Sequence, residues 1–209
     1  MNKNLLTATF AASLLVAGFT VSQAQLTVGV DPSDTWIGYM NRFENNAGAK
    51  GNFIEGGVWG FADLKSTFGP QTLTLQPNFN TYANALGGND ADRAYWTDST
   101  DGGVTAGPNG NKWMEALGFV ESTSASLKTN LTFAGEISSF SLLSPNYTAT
   151  AFIKALDPNA GWATVVNQTT TLTSAGAFSV SADLSAATPA WVIQYGFAVE
   201  GINANPANE

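Results

Sequence analysis

Oxygen-bearing side chains crowd into one stretch of this chain. Asn89, Asp90, Asp92, Asp98, Asp101 and Asn109 fall within residues 84–112, with glycines among them. Calcium takes about six to eight oxygen ligands, and a Gly-rich segment can wrap a cation without side-chain clashes. Asp90-Ala91-Asp92 and Asp98-Ser99-Thr100-Asp101-Gly102 look like parts of a calcium loop. The regular ligand spacing and the closing bidentate Glu are missing. The expectation is therefore a solvated acidic loop, with calcium held by Asp90, Asp92, Asp98 and Asp101 as the alternative.

Aromatic residues in loops offer a second chemistry. Tyr95-Trp96 lies inside the acidic stretch, and Trp162 follows the Asn159-Ala160-Gly161 turn. Sugar rings present apolar C–H faces that stack on Trp and Tyr, so Tyr95, Trp96 and Trp162 are candidates to hold a glycan. Trp36, Trp59, Trp113 and Trp191 fall in strand-like segments and are expected to be buried. Catalysis would have to use carboxylates, because the chain has no His and no Cys. That removes imidazole bases, Ser-His-Asp triads, thiolates, disulfides and Cys- or His-ligated zinc. Glu44, Glu55, Glu115, Glu121 and Glu136 could supply the pair that a glycosidase needs, but sequence does not report their separation. No residue is assigned a catalytic role. No Ser-x-x-Lys signature or phosphate-binding Gly loop is present.

The elements that must position these residues read as strands. The chain has 209 residues, is 44% apolar and only 11% charged, and includes 21 Gly. Phe178, Val180, Ala182 and Leu184 alternate with Ser179, Ser181 and Asp183, the pattern of a half-buried strand. Leu73 and Leu75 alternate with Thr72 and Thr74, and segment 150–156 is apolar on both faces. Further strands are expected over 26–30, 36–42, 53–59, 113–121, 131–143, 163–172 and 191–200. Gly, Pro and Asn clusters punctuate them, among them Gly56-Gly57, Gly87-Gly88, Pro145-Asn146 and Asp157-Pro158-Asn159. These spacings predict an all-β chain, a single antiparallel β-sandwich of the jelly-roll kind with roughly eight to ten strands. Residues 84–112 would be its one irregular insertion. Phe152, Phe178, Val180, Leu184, Trp191 and Phe197 are the expected interior.

Residues 1–24 read as a secretory leader. Lys3 makes a positive start, Leu5 to Phe19 an apolar run, and Val21-Ser22-Gln23-Ala24 a small-residue cleavage site. Residues 25–209 would then form the exported, extracellular or surface domain, with no second apolar run long enough to span a membrane. Eight Lys and Arg against 16 Asp and Glu give a net charge of −8, which argues against nucleic acid. Asn130, Asn146 and Asn167 each begin an Asn-x-Ser/Thr triplet and are read as chance matches.

Four blocks of residues carry a resemblance. They are Asp31-Pro32-Ser33 with 35–41 and Phe43-Glu44-Asn45, Asn111-Lys112-Trp113-Met114-Glu115-Ala116, 150–154 with Asp157-Pro158, and Gln194-Tyr195-Gly196-Phe197 with Gly201 and Asn203-Ala204-Asn205-Pro206. In these the chain resembles a family of uncharacterised secreted bacterial proteins from environmental lineages, some ending in a C-terminal sorting signal. The family implies secretion but carries no established activity, ligand or catalytic residue. This chain departs from it after Pro206, where no hydrophobic tail follows.

The readings converge on a non-catalytic secreted or surface β-sandwich, glycan-binding or matrix-associated. A polysaccharide hydrolase using paired carboxylates is the alternative. Segment 191–200, rich in aromatics, should be a central strand. Asn203-Ala204-Asn205-Pro206 reads as a turn leading onward, so the domain is expected to end one strand early. Self-association would then follow through an unpaired edge.

Overall fold

The computed structural model describes residues 25–142 and 147–207. The leader 1–24, the Pro145-Asn146 turn with its Asn146 triplet, and residues 208–209 lie outside the described residues. In chain order the strands are β1 (Gln25–Val28), β2 (Trp36–Asn46), β3 (Ala49–Val58), β4 (Thr67–Phe68) and β5 (Leu73–Thr74). Two short helices follow, α1 (Asn80–Leu86) and α2 (Asp90–Trp96). Then come β6 (Lys112–Ser122), β7 (Asn130–Ile137), β8 (Tyr147–Asp157), β9 (Ala163–Leu172), β10 (Gly176–Asp183) and β11 (Val192–Ile202).

The strands form a sandwich. A six-stranded sheet in the order β3-β2-β6-β11-β8-β9 packs against a three-stranded sheet in the order β1-β7-β10, and β4 and β5 make a small separate ribbon. The alternation of β10 sends Phe178, Val180 and Ala182 into the core while Ser179, Ser181 and Asp183 face out. The larger sheet answers with Ile193, Tyr195, Phe197 and Val199 of β11 and Ala151, Ile153 and Ala155 of β8. Small and large residues alternate across the register: Phe197 lies opposite Gly118 on one side and Ala151 on the other. At the centre the fully buried Phe133 ring lies 5.3 Å from Phe178, 5.4 Å from Tyr195 and 5.1 Å from Phe197. Edge-to-face and tilted geometry of this kind adds roughly 0.5–1.5 kcal/mol per pair beyond the area buried.

The all-β sandwich expected from the sequence is therefore the fold, with differences of detail. Nearly every pairing is antiparallel, but β1 runs parallel to β7. The strand expected over 131–143 ends at Ile137. Residues 84–112 are not uniformly irregular, because α2 lies within them and α1 overlaps their start. The Asn89 side chain accepts from the Asp92 N–H while the Asp92 carboxylate accepts from the Asn89 N–H, a reciprocal cap that starts a helix two turns long. Phe152, Phe178, Val180, Leu184 and Phe197 are buried, Phe152 on the opposite face of the larger sheet beside Leu117, Phe119 and Ala198. Trp191 is half-buried against the main core. So are Trp36, Trp59 and Trp113, where the sequence pattern predicts burial. A large indole with an N–H needs a polar partner: Trp36 Nε1 donates to the Asp31 carbonyl at 2.7 Å, and Trp113 Nε1 donates to Glu200 Oε1 at 2.8 Å.

β11 is central, as its aromatic pattern suggested, and is paired along both sides by β6 and β8. The open edges of the larger sheet are β3 and β9. Residues 203–205 do not lead away. The Asn203 N–H donates to the Lys112 carbonyl at 2.9 Å, and the Ala204 N–H donates to the Asn78 carbonyl at 2.7 Å. The three-stranded sheet packs on the β8 and β11 side of the larger sheet's inner face. The segment between β3 and β6 places Leu64, Trp59 and Trp96 over Met40 of β2 and Met114 and Ala116 of β6, and the site lies there.

Candidate functional site

The site begins with the turn after β3. Gly38 on β2 makes room for it, since a Cβ there would stand 2.4 Å from the Trp59 carbonyl oxygen and 2.8 Å from a Leu64 methyl. The Trp59 N–H donates to the Gly38 carbonyl at 3.0 Å. The turn closes through the N–H groups of Asp63 and Leu64, both donating to the Gly60 carbonyl at 3.0 Å. Leu64 is buried with Met40, Met114 and Ala116, and Trp59 and Trp96 pack against that cluster. Burying Leu64 leaves its neighbour Asp63 facing solvent.

Across from this turn stand α1 and α2. α1 buries Thr81, Tyr82 and Ala85. Its Tyr82 hydroxyl donates to the Gly107 carbonyl at 2.7 Å. The end of the chain pins both helices: Asn205 Nδ2 donates to the Tyr82 hydroxyl at 3.1 Å and to the Pro108 carbonyl at 2.7 Å. The fully buried Asn203 accepts from the Lys112 N–H at 2.9 Å and donates to the Trp96 carbonyl at 2.9 Å. It thus ties the last residue of α2 to the start of β6 and the end of β11. Gly103, at φ +90°, lets the loop after α2 approach so closely that a Cβ would lie 1.7 Å from the Asp90 carbonyl oxygen.

Between the turn and the helices lies a cleft of about 510 Å³, within the range of small-ligand sites. Trp59 and Trp96 line it, with Asp63 and Asp92 at its polar side and Asn80 and Asn84 from α1. No Lys or Arg is among its lining residues. Trp96 is backed by a cationic stack: the Arg42 guanidinium lies 5.1 Å from its ring centre and 5.8 Å from that of Tyr95. Arg42 is itself ion-paired with Glu55. The Lys112 ammonium lies 4.2 Å from the Tyr95 ring. Burial pushes the Lys112 ammonium below the usual lysine range, an effect the Glu44 charge opposes and Arg42 reinforces. Tyr95 meets Trp96 edge-on at 4.9 Å and so supports the site without lining it.

Polar groups of the cleft divide into used and free. Asn80 Nδ2 donates to the Ala62 carbonyl at 3.0 Å, and the Asp92 carboxylate takes the Asn89 N–H at 3.3 Å. The Asp63 carboxylate, the Asn84 amide and both indole N–H groups make no hydrogen bond to the described residues. Free donors and acceptors beside two indoles can grip a polyhydroxylated ring, which offers C–H faces and hydroxyl edges together.

The sequence candidates separate. Trp96 and Asp92 reach this cleft. Trp162 is 57% exposed in the β8–β9 turn and packs against no core cluster. The remaining aspartates serve local structure. Asp90 pairs with Arg93, Asp98 accepts from the Asn109 N–H at 2.8 Å, and Asp101 accepts from the Thr105 N–H at 2.9 Å. Hydrogen bonds from Thr105 and Ser99 hold the Asp101 carboxyl below the usual range. No three acidic side chains among the described residues converge closely enough to hold a metal ion.

The five glutamates weighed for catalysis lie outside the cleft. Glu44 accepts from Asn52, Glu55 pairs with Arg42, Glu115 accepts from Asn41, and Glu121 accepts from Gln194. Glu136 stands exposed on β7. Sequence reasoning missed Trp59, Asp63, Asn80 and Asn84. Trp59 sits at the end of an apparent strand, and nothing in the sequence joins it to residues more than twenty positions on. The chain matches no protein-family model, and neither a curated protein nor a solved structure matches it.

Proposed function

We propose that this protein is a secreted or cell-surface binding module that holds a glycan in the cleft between the 59–64 turn and the two helices. The observation that carries the reading is the meeting of two half-buried indoles with an unpartnered carboxylate and amide in one concavity. Concave sites with an aromatic lining and a few placed polar groups are the usual form of small-ligand sites. The leader-like residues 1–24 support export. A matrix-associated role follows from the same binding.

A hydrolase is the second reading, because Asp63 and Asp92 both line the cleft. One of that pair, however, already serves as the cap of α2. A glycan array with the exported portion tests both. Binding is expected to some immobilised oligosaccharide, lost in Trp59→Ala and weakened in Trp96→Phe, with circular dichroism unchanged in both variants. An array without signal, or binding indifferent to Trp59, would remove the proposal. Release of shortened sugar from the bound oligosaccharide would turn the assignment to hydrolysis.

A further inference from the structure

The charge of the cleft narrows the class of sugar. Two carboxylates line it and no cationic side chain does. The Asp63 carboxylate has no partner among the described residues, and a solvent-facing anion beside apolar rings is an open acceptor for a charged donor. The neighbouring cations are committed. Arg42 is paired with Glu55 behind Trp96. Arg93 donates to the Gly103 carbonyl at 2.6 Å and pairs with Asp90. Lys65 lies over the Phe79 ring at 4.1 Å. Indole faces are the best aromatic partners for a cation. The whole chain carries a net charge of −8, and a field of that sign draws cations toward a cleft and repels anions.

We propose that the ligand is a protonated amino sugar, a hexosamine oligosaccharide with free ammonium groups. The proposal rests on the cleft being a sugar site. The ring stacks on Trp59 and Trp96, while the ammonium is set against the Asp63 carboxylate. Uronic, sulfated and phosphorylated sugars are rejected, because each would place an anion beside Asp63 and Asp92. N-acetylated sugars keep the ring contact and lose the charge contact.

Calorimetric titration with a glucosamine tetramer and with an N-acetylglucosamine tetramer separates the inference from the reading beneath it. At low salt the free-amine tetramer is expected to bind at least about tenfold more tightly. Added salt should erode that preference through screening, over a Debye length of about 8 Å at physiological ionic strength. Asp63→Asn should abolish the preference by weakening the free-amine tetramer far more than the N-acetylated one. Asp63 is exposed and its carboxylate unpartnered, so this variant keeps the fold, and the salt titration of the parent gives an independent check. Equal or tighter binding of the N-acetylated tetramer, or of an anionic oligosaccharide, would overturn the amino-sugar assignment and leave glycan binding standing. Competition by tetramethylammonium at the same concentration as the amino sugar would also overturn it, as the mark of a bare cation site. Failure of every oligosaccharide, with Trp59→Ala indistinguishable from the parent, would overturn both.

Discussion

Alkaline titration of stability tests how Tyr195 is held. Its side chain is 5% exposed, its ring lies against Phe133, and its hydroxyl donates to Asp34 Oδ2 at 3.3 Å. Burial, and then the Asp34 charge and hydrogen bond, push the phenol up to about 12 from its ordinary value of 10.0. Below about pH 10 the phenol is protonated in both folded and unfolded chains, so its contribution to stability is fully present. Between that value and the folded one, the unfolded chain releases a proton that the native chain keeps. Stability therefore falls as pH rises, by about 1.4 kcal/mol per unit and by roughly 2–3 kcal/mol across the window. The assay is urea unfolding at a series of alkaline pH values, comparing the parent with Tyr195→Phe. The variant keeps the ring, loses the hydroxyl and costs roughly 0.5–1.5 kcal/mol at neutral pH. Its stability should then fall less steeply than the parent's above about pH 10, so the two curves converge and then cross. Tyr82 is raised in the same direction, by burial first and by Asp98 second. Lys112, lowered by burial, acts with opposite sign below the lysine range. Both act equally in parent and variant, so the difference isolates Tyr195. Parallel curves for the two proteins would show that the phenol is not held as described.

Three further outcomes are expected. Asn203→Ala removes the acceptor of the Lys112 N–H and one of the two donors to the Trp96 carbonyl, which keeps the Asn111 N–H, and should cost about 1–3 kcal/mol in urea unfolding, the penalty for an unsatisfied buried group. It should also weaken oligosaccharide binding, because the end of α2 that carries Trp96 loses its anchor. Trp162→Ala should change stability by about 0.5 kcal/mol or less, since exposed positions contribute little, and should leave cleft affinity unchanged. The melting temperature should be the same in millimolar calcium and in excess chelator, because Asp90, Asp92, Asp98 and Asp101 serve as local acceptors and ion-pair partners; a calcium-dependent rise would mean that a cation binds the native state.

Much of the sandwich was legible along the chain. Period-two alternation in 178–184 and the aromatic run in 191–200 specify which side of a strand is buried, and burial is a local property of the pattern. Turn clusters bound the strands because Gly, Pro and Asn take conformations that strands exclude. Helix α2 was also written locally, in Asn89 and Asp92 three residues apart, but an acidic pattern matches a metal loop as readily as a cap. Only the choice of hydrogen-bond partner separates them. The parallel pairing of β1 with β7 brings together residues about a hundred positions apart, which alternation within either segment does not encode.

The cleft belongs wholly to the tertiary level. Trp59, Asp63, Asn84 and Trp96 come from a turn and two helices that share no periodic pattern, and they meet because Leu64 is buried on one side and Asn203 and Asn205 pin the helices on the other. Residues 203–205 show the same divide. Their composition marks a turn, and the sequence determined that much through backbone preference alone. Whether such a turn leads outward or folds back depends on which donors and acceptors lie within about 3 Å. Only the assembled sheet, with β11 between β6 and β8, decides that.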